Sequence, residues 1–453
     1  MKVHFIALGG SAMHNLAIAL HKKGYQVSGS DDQIFDPARS RLAEYGLLPA
    51  KLGWHPQRVH QQLDGVILGM HAREDNPELQ KARQLRLKIW SFPEYLYEQT
   101  HNKKRVVIGG SHGKTTITAM VMHVLRYAGI AFDYMVGAYI EGFETMVGLS
   151  REAKIAVFEG DEYLASSIDP RPKFHLYKPH IAVISGIAWD HINVFPTFEQ
   201  YLHQFELFAK YIEPRGSLIY YEEDHHVADL AGKARSDIGK TPYREHPRSD
   251  NGNYLKTPRG EEVAFQLFGR HNAANARAAL EVSRKLGLSD ELFYQAMATF
   301  TGASQRLQKL VETPKAAVYW DFAHAPSKLK ATIAAVKEHY PRRTLIACME
   351  LHTFSSLNKN FLHQYHHTMQ QADQPIVYFN PETIRHKKLE MIHARDIQNA
   401  FNDRRIRIYQ DSNQLVNDLL QTPMDNKVLL MMTSGNFNGT DLHRLASRLL
   451  TPA

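Results

Sequence analysis

Short apolar, β-branched runs alternate with stretches whose apolar positions recur every three or four residues, the pattern of parallel strands covered by helices. A first block reads as strands over 3–8, 27–30 and 65–68, with helices over 13–23, over 37–45 and from Pro77. It closes at the polar break His101-Asn102-Lys103-Lys104. A second block opens with a strand over 105–108, a glycine turn and a helix over 114–127. Strands over 155–158, 181–185 and 217–221 follow, then a hairpin-like tail over 251–268 and helices from Asn272 and Asp290. After Gly302 come strands over 316–319, 345–349, 376–378, 406–409 and 428–432, with helices between them. The pattern predicts an α/β chain of three domains, 1–102, 103–302 and 303–453.

Composition narrows the class. With 453 residues, 43% apolar and 22% charged, the chain is neither disordered nor collagen-like. Charges and prolines interrupt every run well short of the roughly 18 apolar residues of a membrane span, so no membrane partner is expected. The run over 3–8 stops at Gly9-Gly10 without a small-residue cleavage site, which reads as a strand and not a signal peptide. A single cysteine, Cys348, excludes an internal disulfide and suits a reducing cytoplasm. Lys and Arg exceed Asp and Glu by 54 to 47, a formal charge of +7 that permits a polyanionic partner. The positive residues are scattered, however (Lys22, Lys103, Arg342, Lys387, Arg404), as on solvated faces around a site for small anions. No nucleic-acid partner is expected.

Gly110-Ser111-His112-Gly113-Lys114-Thr115-Thr116 lies between strand and helix. Its N–H groups and the helix N-terminus suit phosphate oxygens, Lys114 supplies a point charge, and Thr115 is placed to ligate Mg²⁺. Ile108 stands where the longer phosphate-loop pattern has a glycine. At the N-terminus, Ala7-Leu8-Gly9-Gly10-Ser11-Ala12 occupies the place of a dinucleotide fingerprint but lacks its first and third glycines, which weakens an oxidoreductase reading. Ser30-Asp31 ends the second strand, where hydrogen bonds to a sugar or base are available.

Glu159-Gly160-Asp161-Glu162 and Asp190-His191 each follow an apolar strand, so in a parallel sheet both emerge at the carboxyl edge beside the phosphate loop. Carboxylate and hydroxyl make Glu159 and Thr115 chemically natural Mg²⁺ ligands, and His191 a less usual one. Further on, Asn272 and Asn275 share a helix face after His271, and Arg306, Asp321 and His324 stand at the entry and first strand end of the third block.

Taken in order, these strings resemble the Mur ligases, ATP-dependent amide-forming enzymes of peptidoglycan metabolism. The resemblance implies a Rossmann-like UDP-sugar domain, a central phosphate-loop ATPase-like domain, and a C-terminal Rossmann-like domain that closes on ATP and binds the incoming amine. Residues 3–10, 26–31 and Asn76-Pro77-Glu78 look like the branch that uses UDP-N-acetylmuramate. An insert, Asp161-Glu162-Tyr163, then Asp169-x-Arg171-x-Lys173-Phe174 and Tyr177-x-Pro179, is similar to members that attach the peptide L-alanyl-γ-D-glutamyl-meso-diaminopimelate in murein recycling. Attachment of L-alanine in de novo synthesis is the alternative. From a different class comes a nucleotide-regulated nucleic-acid-binding protein.

The resemblance also implies residue roles. Lys114 would hold the β- and γ-phosphates, Thr115 and Glu159 a first Mg²⁺, and His191 a second. ATP would further meet Gly110, Ser111, His112, Gly113, Thr116, His271, Asn272, Asn275, Arg306 at the γ-phosphate, and Asp321. The UDP-sugar side would use Gly9, Gly10, Ser11, Ser30, Asp31 and His71, and the peptide side His324 and His352. Lys114, Glu159, His191 and Arg306 would carry catalysis, with His191 or His324 accepting the amine proton. A monomer or weak homodimer is expected. The chain departs from the family at Ala7 and Ala12, at Gln305 before Arg306, and at Ala325 after His324. Glu206 and Lys210 lie where several sister enzymes carry a carbamoylated lysine.

Overall fold

Strands that read as unbroken apolar runs form the middles of three sheets, where both faces are covered by helices. The structure, a computed structural model, describes residues 1–249 and 252–450. Residue 251, the expected start of the hairpin tail, and 451–453 at the end of the third block lie outside the described residues. The chain divides into two compact units: Met1–Ile187, Leu202–Arg244 and Arg277–Ala296 form one, and Ala188–Tyr201, Glu245–Ala276 and the chain from Met297 form the other. Neither follows from a single cut, because the chain crosses between them several times. Among the described residues no helix is long and apolar enough to cross a membrane.

The first unit holds two sheets. Strands Gln26–Ser30, Lys2–Ile6, Gly65–Leu68 and Ile89–Ser91 lie side by side in that order, all parallel. Their carboxyl ends deliver the Gly9-Gly10 turn, Asp31 and the loop of His71 to one edge. Asn76 caps helix Pro77–Gln84, its side chain accepting from Glu78 N at 3.0 Å and Leu79 N at 3.2 Å.

The larger sheet runs Gly239–Tyr243, Ser217–Tyr221, Ile181–Ile184, Lys104–Gly109, Ile155–Glu159, Phe132–Met135 and Val147–Gly148, parallel except for the last pair. Val106, Val107 and Ile108 are fully buried, as are Ala156 to Phe158. Because the strands before the phosphate loop, before Glu159 and before Ser185 are neighbours, three loops emerge side by side at one edge.

Arg105 pins the start of this sheet. Its side chain, 1% exposed, donates to the carbonyls of Thr100, His101, Lys103, Tyr177 and Lys178 at 2.8–3.1 Å and to Glu213 Oε1 at 2.9 Å. A buried guanidinium is tolerated because every edge of its fork has an acceptor.

In the second unit, Tyr254–Lys256 and Glu262–Ala264 form an antiparallel hairpin. A six-stranded sheet runs Gln308–Glu312, Ala316–Asp321, Lys427–Met432, Thr344–Leu351, Gln374–Phe379 and Arg407–Tyr409, parallel after its first pair. Helix Arg270–Lys285 begins two residues earlier than the sequence pattern suggests. Strands Gly239–Tyr243 and Gln308–Glu312 escape the periodicity because edge strands with one wet face lack an apolar run.

Candidate active site

The glycine turn after strand Lys104–Gly109 has the conformation that its glycines permit. Gly110 adopts φ +124°, and a Cβ there would lie 2.4 Å from Ser185 Oγ and 2.7 Å from Ser185 N. Gly113, at φ +69°, is the left-handed residue from which helix Lys114–Tyr127 starts. Ser111 N donates to Gly186 O at 2.8 Å, and the Ser185 hydroxyl donates to the carbonyl of His112, so the neighbouring strand end holds the turn. Thr116 is buried in the first turn of the helix.

Lys114 Nζ donates to Gly110 O at 2.8 Å and to Glu162 Oε2 at 2.6 Å. Burial works against its charge, but the carboxylates of Glu162, Asp161 and Glu159 prevail and hold the ammonium above the ordinary lysine range. Thr115 Oγ1 donates to Glu159 Oε1 at 2.9 Å, and Glu159 Oε2 accepts from Gly137 N at 2.6 Å. A hydroxyl and a carboxylate in contact at a helix N-terminus form a hard-oxygen pair that fits Mg²⁺.

The insert after this motif is tied at several points. Lys173 Nζ pairs with Asp161 Oδ2 at 2.5 Å. Arg171 grips both oxygens of Asp169 and reaches Glu94 Oε1 at 3.0 Å. The Ser167 hydroxyl donates to the carbonyl of Ala72, beside His71. The insert thus joins the acidic motif to the N-terminal sheet's loops.

At the edge of that sheet lies a cleft of about 790 Å³, lined in part by Gly9, Gly10, Ser11, Asp31 and His71. Gly9 N donates to Asp31 Oδ2 at 2.6 Å. Burial, helped by neighbouring Asp32 and opposed by the Gly9 N–H, raises the Asp31 carboxyl to about 6. Ala7 takes φ +70°, the left-handed geometry that glycine adopts most readily.

Ser30, expected on the UDP-sugar side, is wholly buried, its hydroxyl accepting from Arg58 Nη1 at 3.0 Å. Strand alternation turns Ser30 away from the face that Asp31 presents. Sequence reasoning missed His14, which lines the cleft one helical turn after Gly10, with Nδ1 3.0 Å from Gly10 O and a pKa lowered by burial. Its position four residues after the glycine turn was the available signal.

In the second unit, His191 sits at φ +56°, its carbonyl accepting from Val194 N at 2.8 Å and Phe195 N at 2.9 Å. Its neighbour Asp190 is held well below the usual carboxylate range: burial opposes this, and His324, His191 and Lys328 outweigh it. His324 Nε2 lies 3.8 Å from Asp190 Oδ2, while its Nδ1 faces the Phe322 carbonyl at 2.8 Å. A carbonyl only accepts, so Nδ1 carries a proton, while Nε2 faces the Asp190 carboxylate. Burial and Lys328 lower the His324 pKa, leaving the ring neutral at pH 7.

Asp321, expected at the nucleotide, gives its oxygens to the chain itself, accepting from Leu307 N at 2.6 Å and Ala323 N at 2.8 Å. It thereby fixes the turn of Gln305 and Leu307, both at positive φ, that presents Arg306 over the Phe322 ring at 4.6 Å. Asn272 and Asn275 are buried on one face, Asn272 Nδ2 bonding Phe268 O at 2.9 Å and Asn275 Nδ2 bonding Asn272 Oδ1 at 3.3 Å. Burial lowers the pKa of neighbouring His271. His352 Nδ1 lies 3.7 Å from Glu350 Oε1. Glu206 and Lys210 are exposed on helix Phe198–Lys210, and Glu206 pairs with His203 at 3.0 Å.

Comparisons with known proteins agree along the chain. Residues 2–104 match the Mur ligase family catalytic domain, 108–283 the Mur ligase middle domain and 305–435 the Mur ligase glutamate ligase domain. The UDP-N-acetylmuramate–L-alanine ligase of Caldicellulosiruptor bescii is 32% identical over 392 residues, 83% of each chain. A murein peptide ligase from Psychrobacter arcticus shares the fold at TM-score 0.70 and 21% identity, covering 100% of this chain and 99% of that one. The UDP-N-acetylmuramate:L-alanyl-γ-D-glutamyl-meso-diaminopimelate ligase from Neisseria meningitides aligns at TM-score 0.60 and 25% identity, over 66% of this chain and 98% of that one. With a phosphate loop, an acidic strand end and three matched domains, the chain belongs to the Mur ligase family, whose members are ATP-dependent, ADP-forming amide ligases that use Mg²⁺ and small-molecule substrates.

Proposed function

We propose that the protein is a murein peptide ligase. It joins the carboxylate of UDP-N-acetylmuramate to the amine of L-alanyl-γ-D-glutamyl-meso-diaminopimelate in the cytoplasm, acting as a monomer or weak homodimer. The observation that carries this reading is the insert over 161–179: Arg171 and Lys173, the residues that marked it in the sequence, are held by Glu94, Asp169 and Asp161. A segment built into its surroundings in this way is a feature of the fold and not a loose loop. Residues 1–102 are assigned to the sugar nucleotide, 103–302 to ATP and 303–453 to the peptide.

A carboxylate resists amine attack because an oxide is a poor leaving group; transfer of the γ-phosphoryl group makes an acyl phosphate that departs readily. Bringing carboxylate and triphosphate together sets like charges against each other, which Lys114 and Arg306 offset. Thr115 and Glu159, with His191 at a second position, are the residues that would hold Mg²⁺, which supplies charge neutralisation on the phosphates. Asn272, Asn275 and His271 serve the nucleotide. His324, its pKa lowered by burial, accepts the proton of the attacking amine.

The similarity to L-alanine ligases favours a second reading, with L-alanine as the amine. Phosphate release with UDP-N-acetylmuramate separates the two. The tripeptide supports turnover and free L-alanine does not if the first reading holds; the reverse result establishes the second.

A further inference from the structure

Glu162 has no part in the roles assigned above, yet its carboxylate is the nearest acidic group on Lys114. The ion pair spans 2.6 Å, and the two side chains are 14% and 2% exposed. A second anchor, Gly110 O at 2.8 Å, completes a pose in which the ammonium is folded back onto its own loop. An oxygen anion therefore already sits where a phosphate-loop lysine would meet a phosphate oxygen. The surroundings sharpen this, since Glu159 and Asp161 also act on Lys114, while Asp161 is itself neutralised by Lys173 at 2.5 Å. With Asp161 paired to Lys173, Glu159 and Glu162 still set two carboxylates against the one ammonium of Lys114, the wrong sign for a triphosphate.

We propose that Glu162 is a positioning residue that engages Lys114 Nζ as a stand-in for phosphate until nucleotide arrives, and that nucleotide binding exchanges the Glu162 carboxylate for a phosphate oxygen. The proposal rests on the reading of the loop as the nucleotide site. The buried ammonium keeps an anionic partner in both states, so it is never left unpaired, and the charge on Glu162 sets the threshold a nucleotide must overcome.

The test is calorimetric titration of ADP, with EDTA to remove divalent ions, into wild type, Glu162→Gln, Glu162→Asp and Lys114→Ala. Removing the competing charge should tighten ADP binding by about tenfold, the scale of one charge-assisted hydrogen bond. Glu162→Asp, which restores the charge, should return affinity toward wild type; a purely structural role for Glu162 would weaken binding in both variants. ADP binding to Glu162→Gln that equals or falls below wild type overturns the proposal. Lys114→Ala separates the two levels: ADP that binds neither wild type nor any variant removes the nucleotide reading and this proposal with it. ADP that binds wild type and Glu162→Gln alike removes this proposal alone. Should Glu162→Gln fail to fold, a crystal structure of wild type with ADP decides. The exchange requires the Lys114–Glu162 separation to exceed about 4 Å, the limit of an ion pair, and an intact pair beside bound ADP overturns it.

Discussion

Thr115 Oγ1 and Glu159 Oε1 lie 2.9 Å apart, joining the first turn of a helix to the end of a neighbouring parallel strand. The pair spans a distance that one cation bridges without backbone movement. Thr115→Val keeps the shape and removes the ligand oxygen. It is expected to lower kcat by about 10²-fold or more, with a stability loss of about 1.5–3 kcal/mol because the hydrogen bond to the Glu159 carboxylate goes with the hydroxyl. Magnesium titrations of ADP release check this, and a wild-type magnesium profile in the variant would rule out Thr115 as a ligand.

Gly110→Ala tests the loop's geometry. A methyl group would press on Ser185 at 2.4 Å and 2.7 Å from a backbone already at φ +124°. Strain and overpacking together predict a loss of about 2–4 kcal/mol, with ATP binding lost in whatever protein folds. Denaturant unfolding and nucleotide titration measure the two effects separately.

His324 is expected to work as a neutral base. Because burial and Lys328 put its pKa below the ordinary 6.5, the ring stays deprotonated at pH 7, and the acid limb of kcat should fall below pH 6.5. Substituting His324→Ala should cost about 10²–10⁴ in kcat with little effect on UDP-N-acetylmuramate affinity. An acid limb that persists unchanged in the variant would assign the titration to another group.

Asp31 supplies a stability test. Its carboxyl titrates at about 6 in the folded protein, against 3.8 for the free side chain. A raised carboxyl favours the folded state when protonated; that contribution is complete below the unfolded value and disappears as pH climbs through about 6. Asp31→Asn should therefore melt higher than wild type at pH 7–8, with the advantage shrinking toward pH 4. Paired melting curves across that interval, showing a constant difference, would contradict the assigned shift.

The sequence made the interior strands legible, because strands buried on both faces are apolar throughout; the helix over 114–127 and the strand over 217–221 appear at their expected bounds. Half-exposed edge strands carried no such signal. The proximity of Lys114, Thr115 and Glu159 was legible, because neighbouring parallel strands bring their loops to one edge. The burial of Ser30 was not legible, because motif order says which residues are near a turn, not which face of a strand each occupies. Asp321 illustrates a different limit: the backbone N–H groups of Leu307 and Ala323 that claim its oxygens have no sequence signature. The partner of Lys114 was invisible for a similar reason, since three acidic residues in one motif look alike until the loop is folded.

The polar stretch between the first two sheets looks, by composition, like a hinge. The Arg105 clasp described above argues otherwise, since the carbonyls of Thr100, His101 and Lys103 all converge on one interior guanidinium. Such a joint behaves as a weld: motions that admit substrates must bend elsewhere, and although His101, Asn102 and Lys104 are exposed, a protease should find this stretch held too firmly to cut quickly until the whole unit melts.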